Sequence, residues 1–158
     1  MTRPKEPTDR KVVCRNKKAL HDYAIEERFE AGLVLQGSEV KSLREGRGDL
    51  KDAYALIERG EGWLVNFSIS PWPGAAHFNH RPERRRKLLL HKRQILRLEV
   101  KLLLHGYTLV ALSVYFTDRN VAKVELGLGK GKRQYDKRQA LREREEERAA
   151  RRGDNLAG

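Results

Sequence analysis

Cysteine is almost absent from this chain. Cys14 stands alone, which excludes an intrachain disulfide, a cysteine-built zinc site and a redox pair. No apolar run approaches the roughly 20 residues that a bilayer requires. The opening MTRPKEPTDRK lacks the apolar centre of a signal peptide. Together these absences predict a soluble, unexported protein of a reducing cytoplasm, with no membrane-spanning segment. Aromatic residues make up only 7%, too few to stack on a single strand base by base, so any nucleic-acid partner is expected to be read by its folded shape. Prolines number five, and three of them (Pro71, Pro73 and Pro82) fall in one stretch, which predicts a surface loop over Ser70 to Pro82.

Positive charge is what the chain has in excess. With 34 Lys and Arg against 22 Asp and Glu over 158 residues, the formal net charge is +12. A polyanion is the natural partner, because each neutralised phosphate releases condensed counterions; nucleic acid leads, and an anionic membrane surface comes second. The length suits one compact core with extensions. Gly127 to Arg138, GLGKGKRQYDKR, sets five cations against Asp136 alone. Its glycines leave room for close backbone approach to a partner. Beyond it, Gln139 to Gly158 has five Arg, four Glu and one Asp and almost nothing to bury. Helix formers there predict a tail that is disordered when free and helical when bound.

Upstream, Met1 to Asn16 has the composition of a flexible basic lead-in. From Tyr23 to Leu35 the odd positions are mostly apolar and the even ones mostly charged, which predicts a long strand bent at Gly32. Ser38 to Glu45 reads as a short helix capped by Ser38 and stopped by Gly46. Ala53 to Glu58 and Trp63 to Ile69 read as a hairpin around Arg59-Gly60-Glu61-Gly62. Seven cations, with Glu83 the only acid, surround Leu88, Leu89 and Leu90 between Arg81 and Arg93. A longer helix follows, with His91 and Gln94 as a capping pair and Gly106 as its end. Tyr107 to Phe116 and Val121 to Leu128 complete the strands. The pattern predicts a mainly β protein with inserted helices, a small OB-like antiparallel β-barrel with a basic C-terminal tail. The division is 1–16 flexible segment, 17–128 barrel and 129–158 tail.

Catalytic patterns fail. A P-loop needs glycine and Ser or Thr where Leu126 and Arg133 stand, and GxGxxG is broken by Lys132 and Gln134. His77 and His80 lack a third ligand and read as surface or RNA-facing residues; no cofactor is expected. Glu26, Glu27 and Glu30 alternate between faces of one strand, so they form no catalytic pair. The basic cluster at Arg84, Arg85, Arg86 and Lys87 admits two readings, a solvated flank on core leucines or cations holding phosphates while a leucine packs on a base or sugar. Tyr135 is the aromatic least suited to burial and best suited to stacking.

Several long blocks, NKKALHDYAIEERFEAGLVLQGSEVKSLREGRGDLKDAY, RKLLLHKRQI, GYTLVAL and KVELGLGKGKRQYDKR, resemble the SsrA-binding protein (SmpB) family of bacterial ribosome rescue, from about Asn16 to Arg144. The resemblance implies an OB-like barrel that binds the tRNA-like domain of tmRNA and, with elongation factor Tu, enters stalled ribosomes. There the tail occupies the small-subunit decoding centre and the empty mRNA channel. The family's tmRNA-contact positions fall on Asn16, Glu30 and Leu89, with support from Lys87; His21, Arg84, Arg85, Arg86 and Lys92 complete the RNA-binding set. The tail motif falls on Lys130, Lys132, Arg133, Tyr135, Asp136, Lys137 and Arg138. Relatives often have histidine at the position of Tyr135; tyrosine keeps a ring for stacking without a charge that titrates near neutrality. An integral ribosomal or general RNA-binding structural protein is the alternative, and an RNA-processing enzyme a more distant one.

Overall fold

The computed structural model describes residues 10–75, 79–132, 142 and 144–150. In chain order its elements are β1 (Lys11–Arg15), α1 (Lys17–Asp22), β2 (Tyr23–Leu33), α2 (Gly37–Arg44), β3 (Gly48–Asp49), β4 (Tyr54–Glu58), β5 (Glu61–Val65), β6 (Ser68–Ile69), β7 (Arg86–Leu89), α3 (Lys92–Leu104), β8 (Thr108–Phe116) and β9 (Ala122–Gly131). Six strands close an antiparallel ring in the order β8-β4-β5-β7-β2-β9, with β9 returning to β8. Strand β1 lies outside the ring, pairing Lys11 with Phe116 and Arg15 with Ser113 of β8. Strands β3 and β6 form a separate two-stranded ladder. The result is the OB-like barrel with inserted helices that the alternation predicts.

Closing so small a ring requires bends, and these come from register shifts between Ile25 and Glu27 on β2 and between Ala111 and Ser113 on β8. One extra residue reverses which side chains face inward. Leu109 and Ala111 therefore join the core before the shift in β8, and Val114 and Phe116 after it. Val110 and Leu112 pack instead on the outside, with Ala19, Tyr23 and Ile25. On β2, Ile25 belongs to that outer group while Phe29, Ala31 and Leu33 face the core, although all are odd-numbered. The bend thus sits at Glu26 rather than at Gly32. Gly32 serves another purpose: a Cβ there would lie 3.1 Å from Cβ of Leu89, its partner on β7.

Helix α3 seals the barrel by burying Leu98 completely, a contribution of about 2 kcal/mol. Its start is as the sequence predicts, with the His91 N–H donating to Oε1 of Gln94 at 3.1 Å. Helix α2 begins earlier than expected: the Gln36 N–H donates to Oε1 of Glu39 at 2.8 Å, so Gln36 is the cap. Ser38 is committed elsewhere, to Nδ1 of His80 at 2.8 Å. The β4–β5 hairpin turns on two residues, Arg59 (φ 53°) and Gly60 (φ 75°), the left-handed pair that matches strand twist.

Other boundaries also differ from the sequence reading: β2 ends at Leu33 and not Leu35, and β5 begins at Glu61 and not Trp63. The lead-in assigned to 1–16 contains β1, and Asn16 is the N-cap of α1, because Cys14 faces the core and Asn16 is buried. The stretch Trp63 to Ile69 is broken at Asn66 (φ 59°) into β5 and β6. Strand β9 runs to Gly131, past the expected end of the barrel at residue 128. Residues 144–150 are helical with exposed side chains; the expectation of a tail ordered only on binding otherwise concerns positions outside the described residues.

Candidate nucleic-acid interface

Beyond the bulge at Glu26, the even-numbered side chains of β2 face outward. Pairing places Glu30 opposite Glu125, and Gly32 opposite both Lys123 on β9 and Leu89 on β7. The structure thereby brings Glu30, Leu89 and Lys123 to one outer surface. Leu89 is 58% exposed beside the fully packed Leu88, as strand alternation requires. Of the two readings of the leucine cluster, the exposed leucine in a basic setting holds for Leu89 and the core reading for Leu88.

Glu30 is held from three sides. It accepts from Nζ of Lys123 at 2.8 Å, from Nη2 of Arg10 at 3.2 Å and from the hydroxyl of Tyr115. The Arg10 guanidinium also lies 4.6 Å from the centroid of the Tyr115 ring. Burial alone would raise the Glu30 carboxyl; the hydrogen bonds from Lys123 and Tyr115 and the charges of Lys123 and Arg10 overcome it and hold the group below its ordinary range. Tyr115 is raised in turn by its burial and by the carboxylate beside it. A carboxylate has about four acceptor sites, so one remains for a donor from outside. An adjoining groove of 550 Å³ is lined by Arg10, Arg15, Lys17 and Arg28, with Leu20 and Leu112 as its apolar part. Arg28 is tied to Glu125 at 3.0 Å.

Several expected contacts lie elsewhere. Asn16 is only 3% exposed. Its Nδ2 donates to the carbonyls of Leu50 (2.8 Å) and Ala111 (2.9 Å), and its Oδ1 accepts from the Ala19 N–H at 3.0 Å. That side chain joins α1, the segment before β4 and β8, and although it borders the groove its amide atoms are all engaged within the protein. Arg86 is fully buried because alternation on β7 turns it inward. It donates to Oε2 of Glu39 at 2.5 Å, to the Phe67 carbonyl and to the Pro82 carbonyl at 3.1 Å, so it is a structural clamp and not a phosphate ligand. Burial lowers the affinity of Arg86 for its proton, against the opposing pull of Glu39. Burial would raise Glu39, yet hydrogen bonds from Arg84 and the Gln36 N–H and the charge of Arg86 hold it below the carboxylate range. Arg84 is half-buried against the same carboxylate at 2.5 Å.

Arg85 and Lys87 do reach the surface. Arg85 pairs with Glu58 at 2.6 Å and lies 5.4 Å from the centroid of the Trp63 ring. Lys87 is 3.4 Å from Glu61, and Lys92 is exposed in the first turn of α3. His21 sits at the opposite end of β2 from Leu89, next to where β9 ends. Its ring contacts Asp22 at 3.0 Å. That bond, chiefly, holds Asp22 below its usual range against burial, with help from the charges of Lys18 and Lys132. Lys130 lies 4.5 Å from the centroid of the Tyr107 ring, whose hydroxyl donates to Glu26 at 2.6 Å. Lys132 is exposed. Arg133, Tyr135, Asp136, Lys137 and Arg138 lie outside the described residues.

Of the glycines in the stretch 127–138, Gly127 and Gly129 prove to be internal fittings, while a Cβ at Gly131 would meet nothing within 4 Å. A Cβ at Gly129 would collide with the Ala24 carbonyl, and one at Gly127 would lie 2.9 Å from Leu112 and 3.0 Å from Ile25; they allow the outer apolar group to form. His80, read as a surface residue, is buried between Ser38 and the Ile69 carbonyl, at 2.8 and 2.9 Å; His77 lies outside the described residues. Sequence reasoning missed Lys123, Arg10 and Tyr115. Alternation along β9 could have found Lys123, but no local signal joins Arg10 to Tyr115. Among the described residues there is no group of three or more His, Cys, Asp or Glu that could hold a metal, and no helix is long and apolar enough to cross a membrane. Cys14 is buried, which pushes its thiol up to about 11 with a further push from Asp49, so it is a poor nucleophile.

Comparison with known proteins gives a consistent result. The family model described as SmpB protein matches residues 13–155. An SsrA-binding protein of Acidothermus cellulolyticus (strain ATCC 43068 / DSM 8971 / 11B) is 58% identical over 139 residues, covering 88% of this chain and 87% of the relative. That of Leifsonia xyli subsp. xyli (strain CTCB07) is 56% identical over 142 residues, covering 90% and 89%. Among solved structures, a chain described under "tmRNA-SmpB: a journey to the center of the bacterial ribosome" is 48% identical with a TM-score of 0.64, over 76% of this chain and 83% of that one. With the family model spanning most of the sequence and an OB-like barrel beneath it, the chain belongs to the SmpB protein family.

Proposed function

We propose that this protein is a non-catalytic RNA-binding adaptor of trans-translation, acting in the cytoplasm. Its barrel binds the tRNA-like domain of tmRNA, and elongation factor Tu carries the complex to stalled ribosomes. The tail from residue 129, through Lys130, Lys132, Arg133, Tyr135, Asp136, Lys137 and Arg138, then occupies the decoding centre and the empty mRNA channel and allows incomplete proteins to be tagged. The observation that carries this reading is the outer surface on which a pre-oriented Glu30 lies beside exposed Leu89 and a cation-lined groove. Cations position phosphates there, while the carboxylate and the leucine supply a donor-specific and a shape-specific contact. The names of the relatives and the ribosomal setting of the solved neighbour support the choice of RNA.

Glu30→Ala separates recognition from bulk charge because the two mechanisms predict opposite signs. Removing an acid makes the surface more positive and frees Lys123 and Arg10, so a purely electrostatic binder tightens. A specific reader loses a contact and the order of its neighbours, and weakens by about tenfold, the worth of one charge-assisted hydrogen bond. Binding to the isolated tRNA-like domain at fixed near-physiological salt, with ordinary tRNA in excess, reads the difference. Tighter or unchanged binding by the variant favours the structural RNA-binding alternative. Truncation before Gln134 is expected to keep this affinity and abolish ribosome rescue in a cell-free translation assay.

A further inference from the structure

Helix α3 has two apolar faces, and the barrel uses one. Leu98 is in the core and Leu102 packs against it. On the other side Leu96, Val100, Leu103 and Leu104 are 56%, 48%, 76% and 75% exposed, and their spacing puts them in one stripe along the helix. Beside the stripe, between α3 and β4, lies an apolar depression of 240 Å³ lined by Leu56, Ile57, Leu102, Leu103 and Tyr107 among others. Ridge and depression together make an exposed apolar surface of the kind that marks an interaction site.

Charge specifies the partner. Lys92 and Arg93 are exposed at the N-terminal end of the stripe and Arg97 borders it, paired with Glu27 at 2.5 Å. Glu99, the one acid of α3, is half-buried and lines the depression beside Leu102 and Leu103, so a partner's carboxylates belong at the Arg93 end and not there. We propose that the outward face of α3 docks an acidic amphipathic helix of a partner protein, which lays apolar side chains on the ridge and into the depression and sets a carboxylate against Arg93. A second copy fits poorly: parallel ridges bring Lys92 and Arg93 of both copies together, and antiparallel ridges set them against Leu103 and Leu104 with no carboxylate to meet them. RNA would engage the cations and leave four aliphatic side chains in water. A lipid surface would cover the ridge but not use the concavity. Leu103 and Leu104 lie at the end of α3 away from Lys92 and Leu89, so a helix seated there leaves the surface of Glu30 and Leu89 open to RNA.

The test places a photo-crosslinking phenylalanine derivative at position 103 of the full-length protein in growing bacterial cells and maps the adduct. The expected product joins α3 to a helical protein segment with net negative charge and apolar residues three and four apart. A synthetic peptide of that segment is then titrated against the purified protein. Its affinity is expected to fall at least tenfold with Leu103→Ser/Leu104→Ser and with Arg93→Glu, while both variants keep wild-type circular dichroism and affinity for the tRNA-like domain. An adduct with RNA, with lipid or with a second copy overturns the proposal, as does the absence of any adduct. So does a peptide whose binding ignores these substitutions.

Discussion

Replacing Asn16 with alanine tests whether this residue meets RNA or supports the surface that does. In the structure its amide bridges three segments: two donors go to the Leu50 and Ala111 carbonyls and one acceptor caps α1 at the Ala19 N–H. Loss of the cap costs about 1 kcal/mol. Losing the two Asn16 hydrogen bonds to buried carbonyls costs about 1 kcal/mol each, with the Leu50 carbonyl keeping a second donor in the Ala53 N–H at 2.9 Å. The sum is about 3 kcal/mol, or a fall of roughly 10 °C in Tm for a domain of this size. Asn16→Asp is expected to do no better although aspartate is a good N-cap, because a carboxylate oxygen would then face two carbonyls. Urea unfolding and thermal melting measure stability. RNA affinity, corrected for the folded fraction at 25 °C, is expected to fall less than for Glu30→Ala. A variant with unchanged Tm and lost RNA binding would refute this reasoning and restore Asn16 as a direct contact.

The buried pair of Glu39 and Arg86 offers a second perturbation. Glu39→Gln leaves Arg86 buried without a counter-charge and is expected to cost about 3 to 5 kcal/mol, and Glu39→Leu/Arg86→Met distinctly less than that; chemical denaturation of both variants checks the order. The same carboxylate sets an acid limit. Its folded pKa lies below the ordinary 4.5, so its stabilisation is complete above about 4.5 and disappears as pH falls through the folded value. Stability measured from pH 7 to 3 should therefore show the gap between wild type and Glu39→Gln narrowing only below about 4.5. A gap constant across that range would mean that Glu39 does not act as an anion.

Elements whose signals are local were legible in the sequence. The alternation from Tyr23 to Leu35 pointed to β2, the His91–Gln94 pair to the start of α3, and Arg59-Gly60-Glu61-Gly62 to the hairpin, although Glu61 and Gly62 already belong to β5. What escaped depends on partners distant in the chain. Strand β7 hides in a run of cations because one of them, Arg86, is neutralised by Glu39, 47 residues away. Helix α1 is only six residues long and follows a segment that lacks the look of a core until β8 pairs with it. The parity reversals at Glu26 and Leu112 have no signature in either strand alone, since each exists only relative to the strand opposite. For the candidate site, Leu89 came only through the resemblance, since the residues left core and exposed readings open, whereas Glu30 was correctly placed on the surface. Asn16 and Arg86 were not, because residue type does not tell a buried polar group from an exposed one.

Strand β9 starts beside Glu30, where Lys123 donates to that carboxylate, and ends at Gly131, where the tail takes over. Its pairing with β2 is continuous except at one bulge, so it acts as a gauge block between the two candidate surfaces. Eight steps of about 3.3 Å from Lys123 to Gly131 set roughly 26 Å between the base of the tail and Lys123, whatever the tail itself is doing. A partner touching both must match that length. Two residues added to each of β2 and β9, keeping every side chain on its own face, would lengthen the gauge by about 7 Å and report how closely the span is fitted to its target.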